Sequence, residues 1–156
     1  MKKTRTFSIG KILRMVALLT VPSMAWACPN LAGIYICSYK AFRADVTIAQ
    51  TMVSGGTVYQ FGFFNDPGEI IADGLTHVVD SIFGPLDFVL RARNYDYTAT
   101  CYGEEVAMEG TADFRNSQDR GTLKGQLLLK GNEIEIHLTL KAPGKENIVS
   151  VTCMRK

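Results

Sequence analysis

The stretch GTLKGQLLLKGNEIEIHLTLK, residues 121–141, decides the fold. Its two runs flank Gly131-Asn132, a dipeptide suited to a tight hairpin because the central positions of such turns need positive φ. With those two residues as the loop, Lys130 faces Glu133, Leu129 faces Ile134, Leu127 faces Ile136, Gly125 faces Leu138 and Leu123 faces Leu140. The apolar pairs fall on one face. The other face carries Lys124, Gln126, Lys130, Glu133, Glu135, His137, Thr139 and Lys141, with Leu128 as the exception. A one-residue slip would turn the apolar set outward, so the register is well specified. Lys130 opposite Glu133 adds a cross-strand charge pair. The period is 2, which a helix of period 3.6 cannot produce.

Working outward, the same logic reads residues 31–40 as a first strand. Residues 44–53 and 57–64 flank Ser54-Gly55-Gly56 as a three-residue hairpin loop. Asn65-Asp66-Pro67-Gly68 is a turn, and Asp73-Gly74 joins residues 69–72 to residues 75–80 in another hairpin. Phe83-Gly84-Pro85 breaks the chain. Residues 88–93 read as a strand, with a short helix opened by Pro85 as the alternative. Residues 97–102 and 105–114 follow, then a polar loop over 115–120, and residues 147–154 form the last strand. About 8–10 short strands at roughly 10–13-residue spacing predict an all-β, antiparallel barrel, and sequential hairpins favour up-and-down order.

Residues 1–27 have the layout of a secretory signal peptide. Lys2, Lys3, Arg5, Lys11 and Arg14 form a positive region without acidic residues. The apolar run 15–21 follows, then Ala25-Trp26-Ala27 as a small-x-small cleavage site. The run is too short to cross a bilayer, which takes about 20 apolar residues. Cleavage after Ala27 leaves one domain, residues 28–156, in the periplasm or the medium, with no transmembrane segment in the mature chain. Lipoprotein processing at Cys28 is the alternative.

The leader takes five of the 17 basic residues and none of the 15 acidic ones, so the mature count is 12 minus 15, or −3. That balance, with no basic cluster interleaved with aromatics, argues against nucleic acid. Four cysteines, Cys28, Cys37, Cys101 and Cys153, suit two disulfides in an exported chain. Cys28 with Cys37 and Cys101 with Cys153 is the preferred scheme. The rival pairs Cys37 with Cys153, should the first and last strands meet. No closely spaced cysteine pair points to a metal, and no cofactor motif is present.

Only two histidines are present. His137 lies on the charged face of the 121–141 hairpin, where a solvated histidine is the ordinary reading. His77 shares an apolar face with Ile70, Ala72, Leu75 and Val79 and is expected to point inward, either to orient a ligand or to pair with a buried polar group. Ser81, four residues on, sits about 13 Å away along a strand, which weakens a triad with Asp73 or Asp80. Glu104-Glu105 reads as a solvated loop. No nucleophile–base arrangement is found, so the chain is read as non-enzymatic. Tyr59, Phe61 and Phe63 alternate on one face as core or cavity wall.

Leu31-Ala32-Gly33-Ile34-Tyr35, near the expected mature N-terminus, resembles the Gly-x-Trp motif that opens the first strand of lipocalins and related calycin barrels, with Tyr35 where that family has Trp. Asn94-Tyr95-Asp96-Tyr97 is similar to the family's second loop, with its Asp-Tyr pair. The resemblance implies a lipocalin-like barrel that binds an apolar or amphipathic small molecule. Its expected cavity is lined by Tyr35, Phe61, Phe63 and His77, with space near Gly125. The alternative is an envelope or extracellular interaction module, such as an inhibitor, that recognises a protein partner through its outer surface.

Overall fold

The computed structural model describes residues 28–63 and 67–156. The expected leader, residues 1–27, and the Asn65-Asp66 part of the expected turn lie outside the described residues. The described residues form ten strands and one short helix: β1 (Gly33–Tyr39), β2 (Phe42–Val53), β3 (Gly56–Gly62), β4 (Gly68–Ala72), β5 (Thr76–Val79), α1 (Pro85–Leu90), β6 (Ala92–Tyr102), β7 (Glu105–Phe114), β8 (Arg120–Lys130), β9 (Glu133–Ala142) and β10 (Lys145–Arg155). The strands form a single antiparallel sheet in the order β4-β3-β2-β1-β10-β9-β8-β7-β6-β5. Every strand pairs with its sequence neighbours except β4 with β5, and β1 beside β10 rolls the sheet into a nearly closed up-and-down barrel.

The β8–β9 register is the expected one, from Lys130 opposite Glu133 to Leu123 opposite Leu140. Ile134, Ile136, Leu138 and Leu140 are buried inside the barrel. Burying such side chains stabilises by about 1.5–3 kcal/mol each. The Lys130 ammonium reaches Glu135, at 2.7 Å, rather than forming the expected pair with Glu133.

Four local expectations are corrected. The β2–β3 loop is two residues, because Val53 pairs with Gly56 and Gly55 takes the positive φ. Residues 85–90 are helical: Pro85 occupies the first turn, and Arg91 ends the helix in a left-handed conformation. Asn94-Tyr95-Asp96-Tyr97 lies within β6, around an irregularity between Arg93 and Asp96, rather than in a loop. The largest correction concerns Asp73-Gly74, which turns the chain without making a hairpin. β4 pairs with β3 and β5 pairs with β6, leaving β4 and β5 as the two edges of the sheet.

Other groups fill the seam between those edges. The Ile71 N–H donates to the Tyr97 hydroxyl (3.1 Å), and the Gly74 N–H donates to the Ala99 carbonyl (3.0 Å). Farther along the seam, Ile82 and Phe83 press against β4 so closely that a Cβ on Gly68 would stand 2.2 Å from the Ile82 carbonyl oxygen. A wedge of side chain and irregular backbone thus replaces the expected ladder.

Each end of the barrel is covered. At one end α1 lies across the opening, organised by Asp87, which is 1% exposed. Its carboxylate accepts from Ser81 Oγ (2.6 Å), Tyr95 Oη (2.7 Å), and the N–H groups of Ile82 (3.1 Å) and Phe83 (3.2 Å). Burial pushes this carboxyl up from its ordinary value, against those donors. At the opposite end the lead-in, residues 28–32, folds over the mouth.

Candidate functional site

The site sits at the lead-in end, where the β2–β3 turn, the β4–β5 connection and the end of β6 diverge. An open cleft of about 650 Å³ lies among them. Its wall includes Met52, Val53, Thr57, Ala72, Thr100 and Tyr102. The Cys28–Cys101 disulfide also lines it. Met52, Val53 and Tyr102 are exposed hydrophobics, as is Leu75 on the β4–β5 connection.

Asp73 supplies the carboxylate among the lining residues. It turns the chain by accepting the Leu75 N–H (2.8 Å), and its Oδ1 lies 2.9 Å from His77 Nε2. Burial raises the Asp73 carboxyl, but the His77 hydrogen bond, the Leu75 N–H and the histidine charge outweigh it and hold the group below its ordinary 3.8.

The disulfides are Cys28–Cys101 and Cys37–Cys153. The preferred sequence scheme is therefore overturned. Cys37 and Cys153 are register partners across the β1–β10 closure. That leaves Cys28, on the lead-in, to reach Cys101 near the end of β6.

The sequence-derived ligand residues fall in three places. Tyr35 is fully buried at the lead-in end, with its hydroxyl donating to the Leu31 carbonyl (3.0 Å). Phe61 and Phe63 stack toward the α1 end with ring centroids 6.4 Å apart, and Phe83 packs on Phe61 at 5.9 Å. His77 stands at the seam, 20% exposed at its side chain, with its ring 5.7 Å from Tyr97. The space expected near Gly125 is taken by Met108, whose Cε would lie 2.5 Å from a Cβ there. An apolar pocket under α1, lined in part by Phe63, Leu86 and Val151, measures about 30 Å³, close to the space of one or two waters.

Ser81 is engaged by Asp87 rather than by His77, and His77 is engaged by Asp73. His137 is exposed on β9, with Nδ1 3.1 Å from Ser150 Oγ. Sequence reading missed Gln50, which follows Ala44, Val46 and Ile48 on the inward face of β2 and accepts the Leu31 N–H (3.0 Å). A polar residue closing an inward apolar series was the available signal.

Comparison with known proteins bears on the architecture. No family model and no curated protein matches the sequence. Among solved structures, a fatty acid transporter, REP1-NXSQ, superposes with a TM-score of 0.53 at 11% identity, covering 81% of this chain and 96% of that one. Fatty-acid-binding protein 1 of Echinococcus granulosus gives a TM-score of 0.53 at 8% identity, covering 80% and 96%. The chain has the fold of these barrels. The lipocalin-like architecture expected from Gly33-Ile34-Tyr35 and the hairpin count is therefore the observed one.

Proposed function

We propose that the chain is exported, that cleavage after Ala27 yields a mature barrel beginning at Cys28, and that this barrel binds an apolar or amphipathic small molecule without catalysis. The observation that carries the reading is the cleft of about 650 Å³, within the usual range of roughly 300–1,000 Å³ for ligand sites. Its wall of Met52, 83% exposed, with Val53 and Tyr102, supports an apolar occupant. The fatty-acid-binding and fatty-acid-transporting neighbours point the same way. Two disulfides suit an oxidising compartment, and a Cys28 sulfur bonded to Cys101 leaves no thiol for a lipid thioether.

The test is titration of the mature protein with 11-(dansylamino)undecanoic acid, following dansyl emission, with Met52→Asp as the cleft variant. Saturable binding weakened by Met52→Asp is expected. Absence of binding, together with no small molecule retained in native mass spectrometry, would overturn the reading. A second reading, a protein partner on the outer wall, draws on exposed Ile34 and Met154 at the lead-in half of the β1–β10 pair. It predicts capture of a defined envelope protein that Met154→Lys abolishes.

A further inference from the structure

Behind the cleft, the lead-in occupies the barrel mouth in the manner of a bound molecule. Residues 28–32 make no strand pairing. Three polar side chains from three adjacent strands hold their backbone instead. The Tyr35 hydroxyl on β1 donates to the Leu31 carbonyl (3.0 Å), the Tyr59 hydroxyl on β3 donates to the Pro29 carbonyl (2.8 Å), and Gln50 Oε1 on β2 accepts the Leu31 N–H (3.0 Å). Both tyrosines and the Leu31 side chain are fully buried. Arg155, on the rim, also donates to the Ala32 carbonyl. The lead-in thus offers the barrel carbonyl acceptors beside a branched alkyl group, which is the chemistry of a carbonyl-bearing amphiphile.

The Cys28–Cys101 disulfide holds the lead-in in place. It forms part of the cleft wall, and Tyr59 Oη stands 4.0 Å from Cys101 Sγ. The cleft and the covered mouth are therefore contiguous. Burial keeps the Tyr59 hydroxyl protonated well above its usual range, so it remains a donor at neutral pH.

We propose that residues 29–31 are an internal occupant of a deeper site built by Tyr35, Gln50 and Tyr59, and that this site takes a carbonyl-bearing apolar molecule when the lead-in is unlatched. The inference rests on the reading that this end of the barrel takes an amphiphile. With the lead-in in place the deeper site is filled, so the competent state is a small fraction of the population and apparent affinity falls by that fraction. Unlatched, the two phenols and the Gln50 amide lose their backbone partners, and a ligand carbonyl restores an acceptor to the phenols.

The test compares the mature chain with the Cys28→Ala/Cys101→Ala variant, each with and without Tyr59→Phe, using 11-(dansylamino)undecanoic acid and its methyl ester as probes. Mass and circular dichroism check that the Cys37–Cys153 bond and the barrel persist. Opening the latch is expected to tighten binding of both probes by about tenfold. Tyr59→Phe is expected to weaken binding about fivefold in the unlatched chain and not in the latched one. Should the unlatched chain fail to fold, Leu31→Ser with both disulfides intact serves as the opening variant, with a gain of the same sign expected. Binding by the mature chain that neither opening variant tightens would overturn this inference alone, as would a Tyr59→Phe effect equal in both backgrounds. Silence of every form toward both probes would remove the parent reading and this inference with it.

Discussion

Asp87 shows how one residue sets the shape of a barrel end. A carboxylate that is 1% exposed ordinarily destabilises a core, because burial disfavours its charge. Here four donors converge on it, two from side chains and two from the backbone that leads into α1. The chain between β5 and α1 has no sheet partner to take those N–H groups, so the carboxylate supplies one. Asp87→Ala would leave the Tyr95 hydroxyl and two backbone N–H groups facing apolar side chains, at a cost of about 3–5 kcal/mol. Ser81→Ala removes one donor from the edge of the same network and should cost about 1 kcal/mol. Urea denaturation of the two variants checks the ranking; equal midpoints would show that the carboxylate does not organise this end. Tyr35 and Tyr59 play the converse part at the opposite end, where backbone carbonyls of the lead-in satisfy buried hydroxyls. At both ends a buried polar side chain holds backbone that lies outside the sheet.

Among the elements, the seam between β4 and β5 depends on close approach rather than on hydrogen-bonded pairing. Gly68 opens β4 against the Ile82 carbonyl, and an added Cβ would meet that oxygen at 2.2 Å. Backbone on both sides leaves no flexible atom to yield, so Gly68→Ala is expected to destabilise by about 2–3 kcal/mol and to speed amide exchange in β4. Gly131 makes the control. Its φ is +61° and open space surrounds it, so Gly131→Ala carries only backbone strain, about 1 kcal/mol. Equal losses for the two would mean that the wedge of Ile82 and Phe83 does not hold the seam. The contrast between the Gly131-Asn132 and Asp73-Gly74 turns explains what the sequence could reveal. Around Gly131-Asn132 the alternation on both arms and the turn chemistry agree, and the register follows residue by residue. At Asp73-Gly74 the turn signal is equally local, but whether the flanking strands pair depends on how ten strands close, which no short window contains. The same distinction governs the site. Parity puts Tyr59, Phe61 and Phe63 on one face, and all three are buried, since alternation is a property of the strand itself. Whether inward residues surround empty space depends on the summed volumes of all ten strands, and here Met108, Phe83 and Leu31 take up that space. Gln50 matters through Leu31, 19 residues away in the chain, so its role emerges only in three dimensions.

At the scale of the whole molecule, two covalent ties divide the work of holding the barrel. Cys37–Cys153 joins the first and last strands where the sheet closes, over a sequence separation of 116. Cys28–Cys101 ties the lead-in across the mouth to β6, over a separation of 73. Loop-closure entropy makes each worth a similar amount, about 2–5 kcal/mol, so thermodynamics alone would not separate them. Access does. Cys37 is 5% exposed and Cys153 is 0% exposed, on strands paired along their length, whereas Cys28 is half-buried in the wall of an open cleft. Thiol–disulfide exchange requires a thiolate to reach a sulfur in line, so its rate follows access. Dithiothreitol under native conditions is therefore expected to reduce Cys28–Cys101 first and to accumulate a species two hydrogens heavier that keeps the β-sheet circular dichroism signal. Cys37–Cys153 should open only at the rate of global unfolding, rising with urea in step with it. Alkylation at timed intervals and peptide mass mapping read both rates. Simultaneous labelling of all four cysteines would show that the lead-in and the barrel open as one cooperative unit. Stepwise labelling makes the lead-in a separate unit of lower stability, because a segment held by four side-chain hydrogen bonds and one disulfide loses its tether while the strand ladders remain intact.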